Sequence, residues 1–292
     1  MSTELRVRKI QGEGWLAKRV NLALGYGILL VTGLFLFIPI FFLLVNSLKN
    51  PDDSEFVTWP VRVFPAVPHW ENFLQIFNRT NFGPIAGRTF LIAIGFALIS
   101  TFMTALAGYG FARYQVPGSK RLYSIVIAMM FVPGMVLTIP QFIIFARLHL
   151  TNTYWPWLIW ALVPGSVGIF LFRQFFMNFP KELEEAAEMD GASPWRIFLQ
   201  IFLPNAKPVL SVSMIWNFSW VWGDYLTPLL FLSGEKTLLP VALQTAFLRP
   251  HSGSYVILTL AGNVIYCLPL IIAFFLAQKY ILKGIVTTGL KG

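Results

Sequence analysis

The acidic side chains of this chain are concentrated in one short segment. Five of the 13 acidic residues lie between residues 180 and 191, and these are Glu182, Glu184, Glu185, Glu188 and Asp190. Ala186 and Ala187 lie among them, and their small side chains permit close approach to a groove on another molecule. Because like charges at i and i+4 mildly destabilise an isolated helix, the segment indicates either a docking element for another protein or a solvated connector.

A second candidate site surrounds Asp224, the only acid inside a long apolar block. Asp224 is predicted to lie about 15 residues, or about 22 Å, from the cytoplasmic end of its helix. Asn217, Trp222 and Tyr225 would supply hydrogen-bonding groups and flat faces that suit sugar rings. An acid in a membrane is costly and faces protein or a water-filled cavity, whereas Trp and Tyr also gather at membrane interfaces. Asp224 therefore either lines a translocation path or makes a structural contact with a neighbouring helix or subunit.

Groups for catalysis are missing from the sequence. There is no G-x4-GK[ST] phosphate-binding loop, no Ser/His/Asp grouping and no H-E-x-x-H motif. The single cysteine, Cys267, excludes a disulfide within the chain, and no Cys/His spacing suits a metal. We therefore expect a chain that is not an enzyme, with no metal site and no cofactor of its own, so any ATP would have to be bound by a partner.

The composition indicates an integral membrane protein. The chain of 292 residues is 56% hydrophobic and 12% charged, with a mean hydropathy of +0.66. Its apolar residues form long blocks rather than a period of 2 or 3.6, and a membrane span needs about 20 such residues. Six blocks qualify, which predicts an all-α fold with six transmembrane helices at about 22–47, 87–112, 122–146, 156–178, 209–232 and 255–282. The first block lacks a cleavage site and is expected to be retained.

The basic residues indicate the orientation. With the N-terminus inside, fifteen of the 22 Lys and Arg lie in inside segments, and the outside segments hold Lys49, Arg62, Arg79, Arg88, Arg147, Lys236 and Arg249. This bias predicts that both termini are cytoplasmic. It also explains the net charge of +9 without a nucleic-acid partner.

The predicted organisation has one membrane domain, 22–282, between cytoplasmic tails 1–21 and 283–292. An outside loop, 48–86, contains Pro51, Trp59, Pro60, Pro65, Pro68 and Trp70, which predicts a small ordered lobe. An inside loop covers 179–208. Pro133 and Pro140 predict kinks in the third span, which serve either motion or packing alone.

Local signals predict two short helices in the inside loop. Pro180 suits the first helical position, and Gly191 is expected to end the first helix in the left-handed conformation. Ser193 and Pro194 then suit the N-cap and first position of a second helix. That second helix is expected to end at Leu203-Pro204.

This loop resembles the EAA motif of ABC importer permeases, EAA-x3-G-x9-I-x-LP. The matching residues are Glu185, Ala186, Ala187, Gly191, Ile201, Leu203 and Pro204, with both spacings kept. In that family the loop is a coupling helix that sits in a cleft of the ATP-binding subunit. The resemblance therefore implies that Glu184, Glu185, Ala186, Ala187, Glu188, Asp190 and Gly191 contact a partner ATPase.

The resemblance extends over about residues 20–292 and is to the MalG-type carbohydrate permeases. It rests on segments 109–113 with 117–118, 132–134 with 139–140, 190–193, 222–225 and 284–292. Gly223 departs from the family pattern, in which Asn is usual. The resemblance implies a permease subunit in a prokaryotic inner membrane, paired with a second related permease chain in the lipid bilayer. Two ABC ATPases would bind ATP and Mg, an extracytoplasmic binding protein would deliver the saccharide, and the C-terminal tail would also touch the ATPases.

Other functions stay open at this stage. A permease of the same architecture would also suit a polyol, a glycerol phosphate or an acidic saccharide. A secondary transporter would normally show several buried acids, and a membrane enzyme would need catalytic groups. Neither pattern is found in the sequence.

Overall fold

The described residues fold mainly into helices. A computed structural model describes residues 3–50, 63–246 and 253–289, and these described residues contain no β-strand. They divide into two compact units, Met1–Leu74 with His251–Val264, and Gln75–Pro250 with Ile265–Gly292. The all-helical prediction is confirmed.

The helices of the first part of the chain are α1 Thr3–Ser47, α2 Asn72–Arg79, α3 Phe82–Arg113, α4 Ser119–Met129, α5 Gly134–Arg147, α6 Trp155–Leu162 and α7 Ser166–Met177. The later helices are α8 Lys181–Met189, α9 Pro194–Ile197, α10 Leu203–Asn205, α11 Lys207–Trp222, α12 Leu226–Phe231, α13 Leu239–Val241 and α14 Gly253–Gly289. Two segments, Phe198–Phe202 and Ala242–Ala246, are π-helical, and Gly234–Lys236 forms one 3₁₀ turn.

Four of the described helical segments have the length and apolar character of membrane spans: Ala17–Ser47, Phe82–Arg113, Trp155–Met177 and Val256–Lys279. Two bent pairs would bring the number to six if each is one span. In the first, α4 and α5 meet at 101°, and in the second, Pro194–Asn205 and α11 meet at 83°. The range of four to six agrees with the predicted blocks. A kink was predicted in the third span, whereas the size of that bend and the bend before α11 were not.

The third predicted span, 122–146, is not one continuous helix. Pro133 lies in the break between α4 and α5, as the predicted kink required, and it occupies the N-cap position of α5. Pro140 lies inside α5, and the helix continues through it. The angle arises at Pro133 because a proline disfavours the α conformation of the residue before it and has no N–H to donate to the preceding turn.

The fifth predicted span, 209–232, is also divided. The helix α11 ends at Trp222, and α12 begins at Leu226. Asp224 therefore lies in a turn between two helices and not within a helix, which corrects the predicted position. Gly223 occupies the C-cap of α11 and marks the break.

The predicted tails are helical rather than separate segments. The helix α1 begins at Thr3 and passes through the expected boundary at residue 21, and α14 continues past residue 282 to Gly289. In the outside loop, Pro65, Pro68 and Trp70 precede α2, and the Asn72 Nδ2 donates to the carbonyls of Ser47 and Lys49 at 2.9 Å each. Pro51, Trp59, Pro60 and Arg249 lie outside the described residues.

In the second unit, α3 packs against α6, α7 and α11. Two glycines permit this close packing. A Cβ on Gly108 of α3 would lie 2.5 Å from the Cβ of Phe172, and one on Gly168 of α7 would clash with the Thr104 side chain. Small residues allow helix backbones to approach closely in membranes, where van der Waals packing drives association.

Gly108→Ala is expected to destabilise the folded chain by about 1–3 kcal/mol, since the added methyl group overpacks the contact with α7. The thermal midpoint of the detergent-solubilised chain measures the effect. Gly110→Ala is the matched control, because a Cβ there meets nothing within 4 Å. Equal midpoints for both variants would contradict the packing role.

Candidate functional site

The helix α8 carries the acidic segment and ends as predicted. Gly191 has φ +75°, a left-handed conformation that glycine adopts without a side-chain clash. The Gly191 N–H donates to the Glu188 carbonyl and the Ala192 N–H donates to the Ala187 carbonyl, both at 2.9 Å. This pair of bonds is a Schellman motif, which satisfies the last carbonyls of the helix. Pro180 stands at the N-cap, one position before the predicted one.

The second short helix begins as predicted and ends later. The Ser193 Oγ accepts from the Arg196 N–H at 3.3 Å, with Pro194 at the first helical position. The helix then continues through Leu203 and Pro204 to Asn205, which corrects the predicted end. Before Pro204 it widens to a π-helix, in which the Leu203 N–H donates to the Phe198 carbonyl five residues earlier. The widened turn accommodates the proline ring, which clashes with the carbonyl four residues back in an α-helix.

One of the clustered acids, Glu184, faces the protein interior. Its Oε2 lies 3.4 Å from the Arg113 Nε at the end of α3, and the two side chains are 17% and 6% exposed. This contact is an ion pair without the directed geometry of a hydrogen bond. The Tyr109 hydroxyl also donates to the Glu184 Oε1 at 3.5 Å, and the Arg113 Nη2 donates to the Phe179 carbonyl at 2.9 Å.

An aromatic cluster surrounds the ion pair. The Arg113 guanidinium lies 4.7 Å above the Phe202 ring, and the Tyr109 ring contacts the rings of Phe198 and Phe202 at centroid distances of 5.1 and 4.8 Å. Phe172, Phe176 and Ile197 complete a buried core here. The cluster joins α3, α7 and the π-helical segment, so α8 is held to the ends of three other elements.

The opposite side of α8 is open to solvent. Glu185, Ala186, Glu188, Met189 and Asp190 are exposed, and Met189 is 89% exposed. Ala187 is half-buried. The structure therefore separates the predicted set into one acid that anchors the helix and an exposed acidic face.

The end of the motif lies against the aromatic cluster. Ile201 and Leu203 are partly buried against it, while Pro204 is exposed. The two apolar residues pack against the cluster that also contacts Ala187 of α8. Pro204 follows the widened turn in the helix that leads to α11.

The candidates near Asp224 have contacts within the chain. The Asp224 Oδ1 accepts from the Thr227 N–H at 3.1 Å in the first turn of α12. This hydrogen bond caps α12 and is a structural role. The Asp224 Oδ2 is buried and has no hydrogen-bond partner among the described residues.

The other candidates of this group differ in exposure. The Asn217 Nδ2 donates to the Thr101 Oγ1 of α3 at 3.0 Å and to the Ser213 Oγ at 3.3 Å. Trp222 is 2% exposed, and its Nε1 donates to the Tyr266 carbonyl at 2.9 Å. Tyr225 is 38% exposed. The first two side chains therefore join helices, and Tyr225 is the one that a solute approaches most easily.

Asp224→Ala is expected to lower stability by about 1 kcal/mol through loss of the cap, and Asp224→Asn is expected to keep it, because an amide oxygen accepts the same bond. Thermal midpoints of both variants measure the difference. A changed substrate preference of the Asn variant in uptake assays would instead place Asp224 on the translocation path.

Comparison with known families identifies the chain. Residues 100–286, which contain the α8 site and the Asp224 turn, match the family described as binding-protein-dependent transport system inner membrane component. The chain belongs to this family. Its ABC permease character and the resemblance to MalG-type carbohydrate permeases are confirmed.

Two relatives of this permease family come from Bacillus subtilis. The chain is 32% identical to the arabinooligosaccharides transport system permease protein AraQ, over 93% of this chain and 96% of that protein. It is 31% identical to the maltodextrin transport system permease protein MdxG, over 76% of this chain and 80% of that protein.

A solved structure shares the fold of this permease. It is a chain of a bacterial ABC transporter involved in the import of the acidic polysaccharide alginate, with a TM-score of 0.73 and 21% identity. The match covers 90% of this chain and 97% of that one.

Sequence reasoning missed the partners of Glu184. Tyr109 and Arg113 belong to segment 109–113, which carries the resemblance to the permeases. They were not predicted as site residues, because Arg113 lies 71 residues before Glu184 in the chain. The one sequence feature that could have pointed to this ion pair is the position of Arg113 at the end of an apolar block. A basic residue in that position is equally well explained by membrane topology.

Proposed function

We propose that this chain is the permease subunit of an ABC importer for a sugar or an oligosaccharide. The observation that carries this proposal is the α8 site, where an exposed acidic face is backed by a buried ion pair. A docking element needs a free face for its partner and a stiff connection to the parts it moves. The permease family and the names of the relatives support the same role.

The proposed architecture has six spans, with both termini in the cytoplasm. Each bent pair then counts as one broken span, and the bias of Lys and Arg sets the orientation. In this arrangement α8 faces the cytoplasm of a prokaryotic cell, where ATPase subunits are located. The turn at Asp224 lies toward the outside.

The proposed mechanism takes its energy from partner subunits. Two ATPases bind ATP and Mg, and closure of their dimer moves α8. The ion pair between Glu184 and Arg113 transmits this displacement to α3, which packs against α6, α7 and α11. A second related permease chain completes the path, which opens toward a binding protein outside.

The proposed cargo is a saccharide because AraQ and MdxG are named for arabinooligosaccharide and maltodextrin transport. Tyr225 is the exposed candidate contact within this chain, and the buried Oδ2 of Asp224 would reach a sugar when the turn beside it moves. An aromatic ring and a carboxylate oxygen suit the faces and hydroxyl groups of a sugar.

Co-purification of the tagged chain from its native membrane, followed by mass spectrometry, tests the proposal. We expect an ABC ATPase and a second permease chain, and ligand screening of the associated binding protein then names the cargo. A chain that leaves the membrane without an ATPase in mild detergent would favour a secondary transporter instead. Enrichment of polyols, glycerol phosphate or acidic saccharides in the screen would change the cargo and keep the permease role.

A further inference from the structure

An apolar cavity of about 510 Å³ lies between α3 and α6, away from α8 and from Asp224. Its walls include Leu91, Ile92 and Gly95 of α3 and Trp157 and Leu158 of α6. The volume is in the range of small-molecule sites. Because both helices are candidate membrane spans, lipid chains are the neighbours that meet an open apolar surface at this depth.

One end of the cavity carries a cation, Lys236, and a second cation, Arg88, contacts the adjoining residue without lining the cavity. Lys236 lines it, and its Nζ donates to the Asn152 carbonyl at 2.8 Å. The Arg88 Nη2 donates to the carbonyl of Thr237, the next residue, at 3.0 Å. Lys236 and Arg88 therefore each donate to an uncharged carbonyl, of Asn152 and of Thr237, and neither contact neutralises the charge of the cation.

Arg88 has further binding capacity. Its Nε is buried and has no hydrogen-bond partner among the described residues. A buried donor without a partner costs free energy, and an anion that drew the Arg88 side chain toward the cavity would remove that cost. Glu235, the acid next to Lys236 in the chain, is exposed to solvent. One acid therefore accompanies two cations, and the net charge of the three side chains is positive.

Aromatic side chains mark the same end. Tyr154 and Trp155 line the cavity, and the Tyr154 hydroxyl donates to the Lys236 carbonyl at 3.1 Å. Burial raises the pKa of the Tyr154 hydroxyl, and the nearby Arg88 charge opposes this shift. Tyr and Trp at the level of Lys and Arg are typical of the boundary between hydrocarbon and headgroups.

We propose that this cavity binds an anionic phospholipid, with an acyl chain between α3 and α6 and the phosphate beside Lys236 and Arg88. The apolar walls match the chain, and the paired cations match the phosphate. A sugar fits less well, because the walls are mostly apolar and a neutral sugar has no charge to pair with Lys236.

Native mass spectrometry of the purified complex, titrated with phosphatidylglycerol or phosphatidylethanolamine, tests the site. We expect tighter binding of phosphatidylglycerol, weakened about five-fold by Lys236→Gln, since each cation near a lipid surface contributes about that factor. Gly95→Leu fills the cavity, where a Cβ meets nothing within 4 Å, and is expected to weaken binding at least as much while the cations stay in place. Arg147→Gln, an exposed cation on α5, is the control and is expected to change nothing.

Four results would overturn the proposal. The first is equal binding of the two lipids, and the second is equal retention of phosphatidylglycerol by all variants. The third is competition by soluble glycerol phosphate, which would mean a site for free anions. Efficient cross-linking of a Leu158→Cys variant to another protein of the complex would likewise show that protein, not lipid, fills the cavity.

Discussion

Glu185→Lys is expected to reduce substrate-stimulated ATP hydrolysis of the assembled complex at least ten-fold. The substitution reverses the charge on the exposed face of α8 while leaving its buried contacts intact. A charge-assisted hydrogen bond contributes about 1.5–3 kcal/mol, and every 1.4 kcal/mol is a factor of ten in affinity. ATP hydrolysis is measured in proteoliposomes with the binding protein and its sugar present, together with the amount of ATPase that co-purifies.

Two further variants show whether reduced ATP hydrolysis in the Glu185→Lys complex comes from the charge at this position. Glu185→Gln removes the charge alone and is expected to have a smaller effect of the same sign. Gln115→Lys adds a positive charge at another exposed position, in the turn between α3 and α4, and is expected to leave ATP hydrolysis unchanged. Full stimulation of the Glu185→Lys complex would remove α8 from the coupling role.

Glu184→Ala is expected to uncouple transport from ATP hydrolysis and to destabilise the chain by about 3 kcal/mol. It leaves the Arg113 guanidinium, 6% exposed, without its carboxylate, and breaking a buried pair in this way is costly. Because α8 would also lose its connection to α3, less sugar should enter for each ATP hydrolysed. The thermal midpoint and the ratio of sugar transported to ATP hydrolysed measure the two effects separately.

The exchanged pair, Arg113→Glu with Glu184→Arg, distinguishes the connection from a general loss of packing. We expect it to recover part of the transport ratio relative to either single variant, since the opposite charges meet again. Glu182→Ala removes an exposed acid from the same helix and is the stability control. If the exchanged pair performs no better than the sum of the single variants, the ion pair does not transmit motion.

The end of α8 and the start of α9 could be predicted from sequence because local chemistry determines them. Gly191 and Ser193 act on backbone groups within five residues, so the signal and its effect lie in one short segment. The end at Pro204 was wrong because a helix has a second response to proline, namely a wider turn, besides stopping.

The bends of the spans could be predicted only in part. Pro133 predicted the kink between α4 and α5, but apolar composition gives no angle, and the value of 101° was not predicted. Pro140 was also expected to kink the span, and α5 continues through it. The break between α11 and α12 beside Asp224 was likewise not predicted, because apolar residues lie on both sides of Gly223.

The direction in which each acid of the candidate site points could not be predicted from the sequence. The sequence placed Glu184, Glu185 and Glu188 together, and the structure turns Glu184 inward. That direction depends on Arg113 and Tyr109, which come from a distant helix. The orphan Oδ2 of Asp224 is equally a property of the tertiary packing.

Because the turn at Phe198–Phe202 is π-helical, the number of residues in this segment matters more than their identity. Each residue in a helix advances the chain by about 100° around the axis. Deletion of one residue between Ile197 and Leu203 would let the turn close into a regular α-helix. It would also rotate the bend at Ala206 and redirect the exit of α11. Most single substitutions there change one side chain, whereas this deletion would rotate every following residue of the helix relative to its neighbours.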